Sequence, residues 1–318
     1  MNRHLVKTLF AAASAFALAA CGGQEAEETA APAETAQADV QEAPAVEAPE
    51  AVSEPSAEER LDAVLAGQSD EAKARYQYRN PKETLTFFRI EPGMTVVDTL
   101  PGAVWYSGIL SEYLGPDGKV VGADYPQEIW PLFGSFATPE LIESKKTWVE
   151  TWVAEREAER KEGGAPFAAF QMAALPAEME GTADVMIMVR AIHNMHRFES
   201  EGGFLTQALA DADAVLKPGG YLGIIQHRGP ESNSDEWASG GNGYLKQSRV
   251  IALVEGAGFE LVEASEINAN PNDQPTEEDF VWRLPPRLAG SEDNEERRAE
   301  MTAIGESDRM TLLFRKPS

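Results

Sequence analysis

The chain of 318 residues contains a single cysteine, Cys21, which lies close to its start. With no second cysteine the chain cannot form an internal disulfide, and the rest of the sequence has no thiol nucleophile or thiolate metal ligand. Basic residues are scarce as well, since 27 lysines and arginines stand against 53 acids and give a formal net charge of −26. No basic stripe is visible, and this balance argues against nucleic acid as a partner.

Apolar runs long enough to cross a bilayer are also missing near the N-terminus. The run 9–20 follows Arg3 and Lys7 and is too short to span, as is typical of a signal peptide. It closes with Leu-Ala-Ala-Cys-Gly, which resembles the lipobox of bacterial lipoproteins. The resemblance implies a signal peptide 1–21, lipidation of Cys21 and, because Gly22 is not Asp, the periplasmic face of the outer membrane. The alternative is an ordinary secretory signal with a chance cysteine.

Residues 22–58 consist mainly of Ala, Glu and Pro, and acids accumulate there with no Lys or Arg before Arg60. Such a segment buries too little apolar surface to offset the entropy of ordering it, and its like charges repel. The composition predicts a disordered tether. Residues 59–318 show no second break in composition, so we expect one folded domain there.

Strand and helix patterns alternate along this domain. Apolar runs predict strands, and helical periodicity with caps predicts the intervening helices. The predicted strands are 95–98, 119–124, 184–189, 221–225, 259–263 and 310–315, and the predicted helices are 81–88, 104–114, 204–216 and 244–257. A strand, helix and strand within about thirty residues predict a right-handed crossover and a parallel sheet.

Two segments are less clear. In the middle of the chain, Trp148 and Trp152 recur at helical spacing, and the helix either packs them on the sheet or lines a pocket with them. The polar segment 264–308 has no periodicity that would assign it to an element.

Open α/β sheets bind ligands outside the carboxyl ends of their strands. The polar residues expected at this edge are Asp98, Asp124, Arg190, His193, Asn194, His196, His227 and Arg228. All the histidines after position 4 belong to this set. Each histidine can also be explained without a function, either as an exposed residue or as one bonded to a nearby carbonyl. The three histidines lack a supporting ligand pattern, which argues against a metal site.

The segment 94–106 has the order strand, turn, helix, which directs backbone N–H groups and a helix N-terminus at a ligand. The pattern Asp-x-Gly-x-Gly-x-Gly begins at Asp98 but retains only Gly102. Leu100 and Val104 stand where the other glycines belong. A side chain narrows the approach to the backbone, and a β-branched residue disfavours positive φ.

The element order and the Lys217–Gly220 turn resemble those of class I S-adenosylmethionine-dependent methyltransferases. More narrowly, the chain resembles a family of secreted, predicted methyltransferases through the segments 101–106, 190–194 and 306–309. Ala103 and Val104 replace glycines of that narrower family. The resemblance runs from about residue 71 to 317. It implies a Rossmann-like, doubly wound, three-layer αβα fold whose mostly parallel seven-stranded sheet has an antiparallel last strand.

The resemblance also implies S-adenosylmethionine as cofactor and a small molecule as methyl acceptor. Cofactor binding would fall to Asp98 and Gly102 near the methionine part, to Asp124 at the ribose, and to Tyr106. Catalytic groups would be His193, Asn194, Arg190 and His227, with a neutral histidine able to remove a proton near pH 7.

Two other functions are compatible with the sequence. A binding lipoprotein could have kept the fold and lost the cofactor together with the loop glycines. A nicotinamide-dependent oxidoreductase is less well supported, because the turn lacks the pattern Gly-x-Gly-x-x-Gly.

Overall fold

The computed structural model describes residues 55–102 and 104–318, which belong to one compact unit, Ser53–Ser318. The predicted signal peptide 1–21, the predicted lipidation site Cys21, Ala103 and most of the predicted tether 22–58 lie outside the described residues. The tether was predicted to extend too far, because its last two residues, Ala57 and Glu58, begin a helix.

Helices and strands alternate through most of the described chain. The α-helices are α1 (Ala57–Ala66), α2 (Asp70–Lys73), α3 (Tyr76–Arg79), α4 (Pro81–Phe87), α5 (Trp105–Leu114), α6 (Pro139–Lys145), α7 (Trp148–Glu159), α8 (Ile192–Arg197), α9 (Glu199–Gly202), α10 (Phe204–Val215), α11 (Gln247–Gly256) and α12 (Glu295–Ile304). The 3-10 helices span Gln127–Phe136, Ala177–Met179 and Val281–Arg283. The strands are β1 (Thr95–Thr99), β2 (Lys119–Asp124), β3 (Phe167–Gln171), β4 (Ala183–Val189), β5 (Leu216–Gly229), β6 (Leu245–Lys246), β7 (Glu260–Ser265) and β8 (Arg309–Arg315).

Seven strands form a continuous sheet in the order β3-β2-β1-β4-β5-β8-β7, and the short β6 pairs with the end of β5. The neighbours from β3 to β5 are parallel, whereas β8 is antiparallel to both β5 and β7. This order confirms the predicted doubly wound sheet with an antiparallel last strand.

Two apolar cores lie on opposite faces of the sheet, because successive residues of a strand point to opposite sides. On β1, Val96 packs into one core with Ile109 of α5, and Val97 packs into the other with Leu209 of α10. Central strands such as β1 and β4 are therefore buried on both faces, which explains their continuous apolar runs, whereas the edge strand β7 is largely exposed. Helices cover both faces, as the predicted three-layer architecture requires.

Several predicted boundaries were wrong. Strand β3 was missed, because its sequence Phe-Ala-Ala-Phe-Gln is short and lacks β-branched residues. Strand β5 is longer than predicted and contains Lys217–Gly220, which was expected to form the turn before it. His227 and Arg228 consequently lie within β5 and not beyond its end.

Trp148 and Trp152 both lie on α7. The Trp152 ring lies against β2 at Gly122, where an added Cβ would come within 2.9 Å of it. The aromatic residues of this helix therefore pack on the sheet, as the first of the two interpretations predicted.

The unassigned segment 264–308 is fastened to the domain by a buried network of polar groups. The Arg283 guanidinium donates to the Tyr244 hydroxyl at 2.9 Å and to the Asp273 carboxylate at 3.0 Å. Because buried charges are stable only when they are paired, these contacts hold the segment in one arrangement. The segment brings side chains to the carboxyl edge of the sheet.

Candidate functional site

A cavity of about 350 Å³, which we call the loop cavity, opens at the carboxyl ends of β1 and β4. Its lining includes Asp98, Gly102 and Tyr106, three of the four residues expected to bind the cofactor, together with Arg75 and Arg79. The arginines come from the helical segment before β1. The loop cavity thus lies where an open α/β sheet is expected to bind its ligand.

The turn after β1 keeps a glycine-like backbone although two of its glycine positions carry side chains. Leu100, Gly102 and Val104 have φ values of 52°, 49° and 54°. A β-branched residue in this left-handed region is an outlier that costs of the order of 1–3 kcal/mol. Such strain is usually retained where a ligand site demands the conformation. The left-handed backbone conformation is therefore present although Leu100 and Val104 carry side chains.

Asp98 is almost completely buried at the base of the loop cavity. Its carboxylate accepts a hydrogen bond of 2.6 Å from the Ser107 hydroxyl in the first turn of α5. Burial raises the pKa of Asp98 to about 7, and the Ser107 bonds only partly oppose this effect. A cationic ligand group placed in the cavity would favour the ionised carboxylate.

Arg75 and Arg79 of the loop cavity belong to a cluster of arginines around Glu306, which does not itself line the cavity. Glu306 accepts from Arg75 at 2.7 Å and lies 3.2 Å from the Arg309 guanidinium and 3.6 Å from that of Arg79. Burial lowers the pKa of Arg79 to about 10, and Arg190 nearby acts in the same direction. A single carboxylate is paired with three arginines here, which leaves an excess of positive charge. The cluster therefore favours an anionic group of a ligand.

A second cavity of about 530 Å³, the histidine cavity, contains all four predicted catalytic residues, Arg190, His193, Asn194 and His227. It borders the loop cavity, because both are lined by Leu100, Val189 and Arg190. The sequence prediction that these residues gather at one edge of the sheet agrees with this arrangement.

The hydrogen bonds of Gln226 determine the tautomer of His193. The Gln226 side-chain nitrogen donates to the Gly243 carbonyl at 2.9 Å, so its oxygen is left to accept from His193 Nδ1 at 3.2 Å. His193 Nε2 is then an acceptor. Burial lowers the pKa of His193 to about 4, and the ring is neutral near pH 7.

His227 lies beside His193, with 5.7 Å between the ring centroids. Its Nδ1 is 2.5 Å from the Ser307 hydroxyl. Burial and the neighbouring His193 both lower the pKa of His227. The histidine cavity therefore presents two neutral imidazoles near neutral pH.

Asp124 lies apart from the other candidate residues and lines neither of the two cavities. Its carboxylate forms an ion pair of 2.7 Å with the Lys145 ammonium, which also lies 4.2 Å from the centre of the Trp130 ring. Burial raises the pKa of Asp124, although Lys145 opposes the shift. The group expected to meet a ribose is thus engaged by a lysine of α6.

Other residues predicted at this edge have local roles. His196 Nδ1 bonds to the Ser239 carbonyl at 2.7 Å and does not line the histidine cavity. The Arg228 guanidinium pairs with Asp308 at 2.8 Å and with Glu266 at 2.6 Å. Both side chains therefore have structural partners.

Sequence reasoning missed part of the lining. The aromatic and charged residues of the histidine cavity that were missed are Phe133, Phe136, Arg197, Phe280, Trp282 and Arg287. Half of them come from the unassigned segment 264–308, where no periodic pattern marked them. Arg197 was detectable, because it follows His193 on the same short helix α8.

Two further observations concern only the described residues. No group of three or more His, Cys, Asp or Glu side chains within 55–102 and 104–318 is arranged to hold a metal ion. No helix in these ranges is long and apolar enough to cross a membrane.

Comparison with known proteins gives likenesses of fold only. No protein-family model matches the chain, and no curated protein matches it either. A methyltransferase from Aquifex aeolicus that depends on S-adenosylmethionine is 20% identical, with a TM-score of 0.44, and the match covers 65% of this chain and 93% of that one.

Two other solved structures cover more of the chain. Geranyl diphosphate C-methyltransferase from Streptomyces coelicolor is 12% identical, with a TM-score of 0.48, over 80% of this chain and 87% of that one. The [4+2]-cyclase SpnF is 14% identical, with the same TM-score of 0.48, over 83% of this chain and 97% of that one. Independently of these likenesses, the strand order of the sheet is that of a Rossmann-like methyltransferase fold.

Proposed function

We propose that this protein transfers a methyl group from S-adenosylmethionine to a small molecule bound in the histidine cavity. The observation that carries the proposal is the junction of the two cavities at Leu100, Val189 and Arg190. A donor in the loop cavity and an acceptor in the histidine cavity would meet there. Positioning of this kind supplies much of the rate enhancement of a two-substrate reaction.

The loop cavity suits the methionine half of the cofactor. The Asp98 carboxylate is a partner for an ammonium group, and Arg75 and Arg79 are partners for a carboxylate. The backbone around Gly102 retains the left-handed conformation of a ligand-binding turn. These features support binding of an amino-acid moiety.

The adenosine half does not fit the residues as they stand. Lys145 holds the Asp124 carboxylate that would accept the ribose hydroxyls. The Lys145 ammonium bonds one carboxylate oxygen of Asp124 and so competes with a ribose hydroxyl at that oxygen. We therefore expect Lys145 to weaken the binding of a ribose at Asp124.

The cofactor, when bound, supplies an activated methyl group on a sulfonium. The chain has to hold the acceptor and, where the acceptor carries a proton, to remove it. His193 Nε2 is the ring nitrogen that can take the proton, because Nδ1 donates to Gln226, and the pKa of about 4 makes it a weak base near pH 7. Asn194 donates to the Tyr125 hydroxyl at 3.2 Å, which fixes the orientation of its amide beside His193.

Calorimetric titration of the purified full-length protein with S-adenosylhomocysteine, the demethylated product, tests this proposal. We expect binding, and we expect the Lys145→Met variant to bind about ten-fold more tightly, because it frees Asp124 and keeps an apolar stem over Trp130. Lys146→Met is the matched control, since Lys146 is exposed and pairs only with Glu143 within the described residues. Its affinity should equal that of the parent protein.

Two outcomes would contradict these expectations. Absence of heat from the parent protein and from Lys145→Met, both well folded, would reject methyl transfer and favour a binding protein that lost the cofactor. Weaker binding by Lys145→Met would show that Lys145 helps to hold the ligand and does not compete with it for Asp124.

We also propose that the protein is anchored by a lipid on Cys21 at the periplasmic face of a bacterial outer membrane. The lipobox-like sequence around Cys21 supports this location. In fractionated cells, the protein is expected in the membrane fraction and the Cys21→Ser variant outside it. Equal membrane association of both proteins would reject the anchor.

A further inference from the structure

The histidine cavity has an unusual charge for so acidic a chain. Its lining contains Arg190, Arg197 and Arg287 but no aspartate or glutamate, in a protein with a formal net charge of −26. None of the three arginines forms an ion pair with a residue in 55–102 or 104–318. The cavity therefore presents three arginines without an ion-pair partner among the described residues, and Glu306 acts on Arg190 only from a longer distance by raising its pKa.

Arg190 is the innermost of these cations. Its Nε is shielded from solvent and has no hydrogen-bond partner among the described residues. Its backbone is held at φ 57°, in the left-handed region that a non-glycine residue seldom adopts. Burial lowers the pKa of Arg190, and Arg309 adds to the effect. A buried cation is stabilised by a hydrogen-bonded anion, so this position calls for one.

The imidazoles of the cavity do not supply that anion. His193 and His227 are neutral, which leaves the arginines as the charged groups of the lining. Neutral imidazoles also tolerate an apolar ring beside them. The arginines of this cavity therefore disfavour the binding of cationic ligands.

The remaining lining is largely aromatic. Phe133 and Phe280 are wall residues, Trp282 lies 6.1 Å from the His193 ring centre, and Phe136 is 59% exposed. The cavity volume of about 530 Å³ falls within the range of sites for small molecules. Aromatic side chains stack on a planar ring, and guanidinium groups bind an anion. Together they favour an aromatic ligand that carries one negative group.

We propose that the histidine cavity selects small aromatic carboxylates, with the carboxylate at the arginines and the ring among Phe133, Phe280 and Trp282. The role of such a molecule as methyl acceptor rests on the proposed function, whereas its binding does not. The carboxylate fulfils the requirement of Arg190 for an anion, and the aromatic walls exclude water from the ring.

Binding of 2-naphthoate and of its neutral amide, 2-naphthamide, to the purified full-length protein tests this inference by calorimetry. We expect the carboxylate to bind about ten-fold more tightly than the amide, since a charge-assisted bond replaces a neutral one. Arg197→Met and Arg287→Met should each reduce that preference and leave the affinity for 2-naphthamide unchanged. Both side chains are exposed, so their replacement does not disturb the core.

Arg249→Met is the matched control, because Arg249 is an exposed arginine of α11 outside the cavity lining. It should retain the full preference for the carboxylate. Equal affinities of the two probes for the parent protein would overturn the inference, as would a preference that survives replacement of Arg190 together with Arg197 and Arg287 by methionine.

Titration of the same preparations with S-adenosylhomocysteine separates the two proposals. Binding of 2-naphthoate without binding of S-adenosylhomocysteine would reject methyl transfer and support the anion site. The reverse result would support the cofactor site and reject the selectivity for aromatic carboxylates.

Discussion

Replacement of His193 by asparagine is expected to make the protein less sensitive to acid. The pKa of His193 is lowered from its ordinary value of 6.5 to about 4, mainly by burial. As the pH falls below about 6.5, the unfolded chain takes up a proton that the folded protein does not accept until about pH 4. The neutral ring therefore contributes stability that is complete above pH 6.5 and is lost towards pH 4, by about 3 kcal/mol.

Urea unfolding at about pH 7 and pH 4.5 measures this contribution. The loss of unfolding free energy between the two values should be smaller in His193→Asn than in the parent protein. His227 has a lowered pKa as well, so part of the acid sensitivity should remain. Asn194→Ala is the control, because Asn194 lines the same cavity and does not titrate. If both variants lose as much stability as the parent protein, His193 is not held neutral by burial.

The parts of the fold that were predictable are those that depend on local pattern. Strands such as β1 and β4 are buried on both faces, and this condition alone produces a continuous apolar run. The position of His193 followed from the same reasoning, since a residue just after β4 must lie at the carboxyl edge of the sheet. Its hydrogen bond to Gln226 pairs residues 33 positions apart and has no local signature.

The parts that could not be predicted depend on contacts between distant segments. Asp124 was expected at a ribose, but Lys145 reaches it from α6, which begins after the 3-10 helix Gln127–Phe136. Arg287 and Trp282 reach the histidine cavity because Arg283 is fastened to Asp273 and Tyr244. Contacts of this kind leave no periodic pattern in the sequence.

Val104 shows where propensity and structure disagree. A β-branched residue disfavours positive φ, yet Val104 has a φ of 54° at the start of α5. Its packing in the core near β1 and the hydrogen bond of its N–H to the Pro101 carbonyl oppose the intrinsic preference. The intrinsic preference of Val104 against positive φ was therefore overridden by tertiary contacts.

Replacement of Asp98 by asparagine should stabilise the protein and weaken the binding of S-adenosylhomocysteine. The pKa of Asp98 is about 7 in the folded protein, against an ordinary value of 3.8, because burial penalises the charge. From about pH 4 to pH 7 the folded state thus holds a proton that the unfolded state has released, and stability falls as the pH rises. Asparagine does not ionise, so the variant avoids a penalty of up to about 4 kcal/mol above pH 7.

Urea unfolding at about pH 4.5 and pH 8 should show a difference between Asp98→Asn and the parent protein that is larger at the higher pH. Ser107→Ala provides a control of opposite sign, because it removes the hydroxyl that donates to the Asp98 carboxylate and should lower stability at pH 8.

The same variants separate stability from function. Asp98→Asn should bind S-adenosylhomocysteine about ten-fold or more weakly, because the ligand ammonium loses a charged partner. If Asp98→Asn is more stable and binds the ligand more weakly, the Asp98 carboxylate serves ligand binding at a cost in stability. If Asp98→Asn is no more stable at pH 8 and binds the ligand as tightly, Asp98 is neither penalised by burial nor part of the cofactor site.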